Sequence, residues 1–124
     1  MNAVSSTIIP AGLVAYEVPG DGMHPTLNQR DIVLAAPVSG PSGEGLYVFD
    51  TGDTIPGSIA IYRVWGTHLG GEIKAALSKD NEHYWKNGNP DPDIVSLDWF
   101  KAHVLGKVAV HCRVVDHGLL RGIS

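Results

Sequence analysis

The feature that most limits what this chain can become is its rhythm: short runs of β-branched, aromatic and aliphatic residues, each stopped within a few positions by glycine, proline or asparagine. Leu13 to Val18, Asp31 to Ala36, Leu46 to Asp50, Ser58 to Trp65 and Glu72 to Leu77 all have strand length, with turn formers between them. Pro37 to Gly45 reads as a surface loop and Thr51 to Gly57 as a turn, while Ser58 to Trp65 and Glu72 to Leu77, separated by Gly70-Gly71, read as a hairpin with a long connection. In the last run Val104, Val108, Val110, Cys112 and Val114 share one parity and Lys107, His111 and Arg113 the other. That spacing predicts a half-buried strand with one inner face. Ser78 to Asp93 reads as irregular, and Ser96 as the cap of a short helix through Leu97, Trp99 and Phe100. Many short strands with almost no helix predict a mostly β, largely antiparallel fold.

With 124 residues the chain holds one core rather than two. Residues 1–12 read as a flexible tail or the end of a linker, and residues 13–124 as the domain. Nine basic against 13 acidic residues give a formal charge of −4, so nothing favours the domain itself as a binder of phosphate backbones. The N-terminal stretch lacks a signal peptide's basic start and continuous apolar run, and no segment approaches the ~20 apolar residues of a membrane span. Cys112 is the only cysteine, which excludes an internal disulfide and makes a reducing, cytoplasmic setting the expectation.

One stretch is more specific than generic β-protein. Val18-Pro19-Gly20-Asp21-Gly22-Met23-His24-Pro25-Thr26-Leu27 breaks a strand, allows one short helical turn over Met23 to Leu27, and runs at once into Asn28-Gln29-Arg30-Asp31-Ile32-Val33. It resembles the nucleophile loop of the LexA-like (S24) family of self-cleaving repressors, written roughly G-D-S-M-x-P-T-L-x-x-G-D-x-V. Four further blocks follow in the family's order. Glu44 to Val48 is similar to its strand after the variable loop, and Ile59 to Val64 to its lysine strand. Leu77 to Tyr84 is similar to its L-x-S-D-N-x-x-Y turn, here with Lys79 inserted, and Val104 to Val108 to its closing V-x-G-[KR]-V strand. The resemblance spans Val18 to about Val115 and implies a compact LexA/signal-peptidase-like β-fold of several short strands with one or two short helical turns.

The resemblance also implies a missing reaction. Cleaving relatives use a Ser-Lys dyad, in which a desolvated, neutral lysine takes the serine's proton. Here the serine position is Gly22 and the lysine position is Tyr62. Glycine has nothing to attack with, and a phenol of ordinary pKa about 10 is no substitute for a neutral amine. His24, Thr26, Ser58 and Lys74 form no recognisable replacement pair and read as turn and surface groups. Ala11-Gly12, the small-residue pair that could be a relic cleavage site, lies only ten residues before Gly22, too close to fold back across a cleft.

His24, His68, His83, His103, His111 and His117 fall on different elements without metal-binding spacing, so neither a metal nor another cofactor is expected. Trp65 and Trp99 read as core residues, and Trp85, in a polar segment, as a contact residue. The C-terminal stretch with His111, Arg113, Leu119 and Leu120 could pack on its own domain or against a second subunit. The resemblance implies the latter, because these domains pair through C-terminal strands. The function expected is a non-catalytic dimerisation or higher-assembly domain of a phage or prophage transcriptional repressor, touching DNA only through a separate head. Two alternatives stay open: a free-standing accessory or anti-repressor protein of the polymerase-accessory kind, and a hydrolase with an unrecognised nucleophile.

Overall fold

The computed structural model describes residues 11–51, 58–69 and 72–113. Seven strands, β1 (Val14–Glu17), β2 (Ile32–Pro37), β3 (Gly45–Asp50), β4 (Ile59–Leu69), β5 (Glu72–Ser78), β6 (Asp93–Ser96) and β7 (Val104–Cys112), form one antiparallel sheet in the order β1-β2-β7-β3-β4-β5-β6. A 3₁₀ turn (Glu82–Tyr84) follows β5, and one α-helix, α1 (Leu97–His103), joins β6 to β7. The fold is therefore mostly β, as the broken apolar runs predict.

Strand β3 lies at the centre and is covered on both faces. Val48 and the half-buried Leu46 belong to one apolar cluster, while Tyr47 and Phe49 belong to another. Alternate side chains of an extended strand point to opposite faces, so a run without polar residues at either parity needs a lid on each side.

The first lid is the bend between β1 and β2. Val18, Met23 and Leu27 are at most 2% exposed and pack on Val33, Ala35, Val48 and Ile61. Its predicted helical turn is present, with the Leu27 amide donating to Met23 O at 2.9 Å. Reciprocal bonds close it on the sheet: Val18 N–H to Asp31 O and Arg30 N–H to Val18 O, both at 2.8 Å.

The second lid is α1. The Ser96 hydroxyl accepts from the Trp99 amide at 3.1 Å, which satisfies one orphan donor of the first turn. Phe100 is fully buried, edge-on to Tyr47 at 5.4 Å and to Phe49 at 5.1 Å between ring centroids. Burial of one such ring is worth about 1.5–3 kcal/mol. Trp99 is half-buried against the same cluster.

Several expectations are corrected. Strand β6, which the sequence does not announce between the irregular stretch ending at Asp93 and the helix cap Ser96, exists because Asp93 to Ser96 pairs with Leu77 to Lys74 of β5. Trp65 is 43% exposed rather than core, since it lies past the end of β3, where Gly45 opposite Val64 is the last pair. Its indole N–H donates instead to the Ser78 hydroxyl at 2.9 Å.

The single inner face expected of β7 is also absent. Two bulges leave Leu105 and Ala109 without opposite partners, the first across from Val48/Phe49 and the second across from Leu34/Ala35. Each extra residue shifts the alternation by one. Val104 accordingly packs with the α1 cluster and Val108 with the bend cluster, while Val110 and Cys112 are exposed. Between the bulges, a Cβ on Gly106 would stand 2.9 Å from Ala36 O, so only glycine allows that approach to β2.

Candidate functional site

The bend lid, β4 and the turn after β5 enclose a cleft of about 280 Å³. Its floor is apolar, from Val18, Met23, Ile59 and Ile61, and its rim carries Gly22, Tyr62, Lys79 and Tyr84. The structure thus brings Gly22 and Tyr62 to one cleft. His24, Thr26, Ser58 and Lys74 do not line it.

Lys79 is the group that reading the sequence did not anticipate. Its aliphatic stem lies on the backbone of residue 22, where an added Cβ would meet Lys79 Cδ at 3.3 Å and Cγ at 3.5 Å. Its ammonium sits 4.4 Å from the centroid of the Tyr84 ring. The Tyr84 hydroxyl in turn donates to Asp21 Oδ1 at 2.7 Å, and that bond to a carboxylate holds the phenol above its usual pKa. The lysine therefore bridges the two sides of the cleft, taking the room that a side chain at position 22 would need.

Asp80 and Asn81 lock the turn to the bend. The Asn81 amide donates to Gly22 O at 2.9 Å, and its side-chain amide donates to Asp21 O at 2.9 Å. Asp80 accepts both Nε and Nη2 of Arg63 at 2.8 Å and the Thr26 hydroxyl at 2.6 Å. Desolvation raises the Asp80 pKa, but the hydrogen bonds from Arg63 and Thr26 and the charge of Arg63 outweigh it, leaving the carboxyl below its ordinary value. The motif Asp80-Asn81 carried this signal in the sequence; the partner Arg63 did not stand out.

The remaining candidates are dispersed. Trp85 is half-buried, its indole N–H donating to Lys79 O at 2.9 Å. His111 lies on β7, with Nε2 2.8 Å from Oδ2 of the buried Asp31. Arg113 reaches the Asn28 side-chain oxygen at 2.9 and 3.2 Å when that amide faces it with its oxygen. Leu119 and Leu120 fall outside the described residues. Among the described residues, no three or more of His, Cys, Asp and Glu gather where they could hold a metal ion. No helix among the described residues is long and apolar enough to cross a membrane.

Neither a scan against protein-family models nor a search of curated proteins gives a match for this chain.

Proposed function

We propose that this chain is a catalytically silent LexA-like domain, and that it acts by pairing with further copies of itself in a phage-type transcriptional repressor. The observation that carries the reading is the pair Gly22 and Tyr62. Both line one cleft, at the positions where the resemblance puts nucleophile and base, and neither side chain suits that chemistry. Lys79, the amine at that cleft, is laid across the glycine with its ammonium on an aromatic face.

The assembly role is supported by the sheet. Strand β3 pairs with β7 only as far as Lys107, so among the described residues Val108 to Cys112 has a ladder partner on the β2 side alone. An open strand edge with Val110 41% exposed suits antiparallel addition of the same strand from a second copy, a self-complementary two-fold contact. Such pairing raises the effective concentration of linked DNA-binding heads.

Sedimentation across the micromolar range tests assembly: a concentration-dependent dimer or larger species is expected, and a monomer throughout overturns it. Covalent labelling by a serine-reactive fluorophosphonate would overturn the silent-cleft half of the reading.

A further inference from the structure

Adjoining the cleft, with Tyr62, Lys79 and Tyr84 common to both, lies a second hollow of about 190 Å³. Three aromatic side chains, Tyr62, Tyr84 and Trp85, and two carboxylates, Asp91 and Asp93, line it together with Leu77 and Lys79. Aromatic faces attract cations through the ring quadrupole, and carboxylates on the same wall add charge attraction. The chain already demonstrates the affinity with its own ammonium, since Lys79 Nζ rests 4.4 Å from the Tyr84 ring centroid.

We propose that this hollow is a binding site for a small alkylammonium ion, with Lys79 as the resident internal competitor for the Tyr84 face. The size suits such a ligand, being below the roughly 300–1,000 Å³ of drug-sized sites. Part of the acidic wall is already matched: Asp91 pairs with Lys86 at 3.2 Å, between side chains that are both at least half exposed. Asp93, on β6, supplies the other carboxylate. The inference is independent of self-assembly, because neither Tyr84 nor Asp93 lies on β7.

The test is titration of the full chain with tetramethylammonium and with choline at constant ionic strength, following the Trp85 indole N–H by NMR and identifying that resonance by its loss in Trp85→Phe. Saturable shifts are expected, tightening about two- to fivefold in Lys79→Ala, where the competing ammonium is gone. Asp93→Asn and Tyr84→Leu, each checked for an otherwise unchanged amide spectrum, should weaken binding several-fold. Dimethylbutanol, the uncharged carbon isostere of choline, should give no saturable shift. Absence of saturable binding in both the native chain and Lys79→Ala overturns the site. So does equal binding of dimethylbutanol, or indifference to both Asp93→Asn and Tyr84→Leu.

Discussion

Lys79 and Gly22 are in van der Waals register: the lysine stem fills the space that a side chain at position 22 would enter, with its Cδ 3.3 Å from that missing Cβ. The two residues belong to elements far apart in the chain, yet each sets what the other can be.

Gly22→Ala therefore displaces the far end of a flexible side chain rather than backbone, and is expected to cost less than about 1 kcal/mol. In a Lys79→Ala background the same change should stabilise by about 0.4–1 kcal/mol, since Gly22 is not in the left-handed region and alanine restricts the unfolded chain. A double-mutant cycle by urea denaturation checks it: a coupling energy near zero would show that the contact carries no energy.

Asp80 gathers β4, the turn after β5 and the bend into one charge-assisted network. Asp80→Ala should destabilise by about 1–3 kcal/mol and loosen the bend, whereas Thr26→Val, which removes one donor, should cost about 1 kcal/mol. Chemical denaturation gives both values, and hydrogen exchange at the Leu27 and Asn81 amides, which donate to Met23 O and Gly22 O, reports the loosening.

The sign of the pH dependence follows from the depressed Asp80 carboxyl. A group whose folded pKa lies below its unfolded value adds stability above the unfolded pKa, near 4, and loses it as pH falls through the folded one. Stability should drop below about pH 4 in the native chain, with a shallower drop in Asp80→Asn. Equal slopes in thermal melts from pH 2 to pH 5 would remove Asp80 as the titrating group.

On β7, Val110→Lys should abolish the proposed self-association at little cost to the fold, because its side chain is already 41% exposed while a charged edge resists pairing. Sedimentation and a urea melt on the same sample separate the two effects.

Phe100 and Trp65 offer a contrast in which the larger ring matters less. Phe100→Ala is expected to cost about 3–5 kcal/mol, since the ring is wholly enclosed by Tyr47 and Phe49. Trp65→Phe, which keeps the half-exposed ring but loses the bond to Ser78, should cost about 1 kcal/mol. Denaturant midpoints rank them.

Much of the fold is legible because β1 to β5 are locally encoded: apolar runs bounded by turn residues announce each strand, but not every end. Strand β4 continues through Thr67 and His68 to Leu69, paired with β5, where the apolar run stops at Trp65 and a long connection is expected. Strand β6 is not legible, as Ile94 and Val95 are only two apolar residues beside prolines and aspartates, and their pairing comes from β5 across the polar connection after Ser78. The bulges in β7 are likewise invisible to a period-two reading, because they come from register against two different neighbours. At the site, Gly22 and Tyr62 are marked in the sequence by the motifs they interrupt. Lys79 stood in the same motif as an insertion, and only the fold shows it reaching back over the bend.

The two apolar clusters are separated by little more than the backbone of β3, which contributes Val48 to one and Tyr47 and Phe49 to the other. Neither half can melt while the other keeps its shape, because both would have to let go of the same six residues. Amides of β3 should accordingly exchange with solvent only through global opening, giving the slowest rates in the molecule and a single free energy for both sides of the sheet.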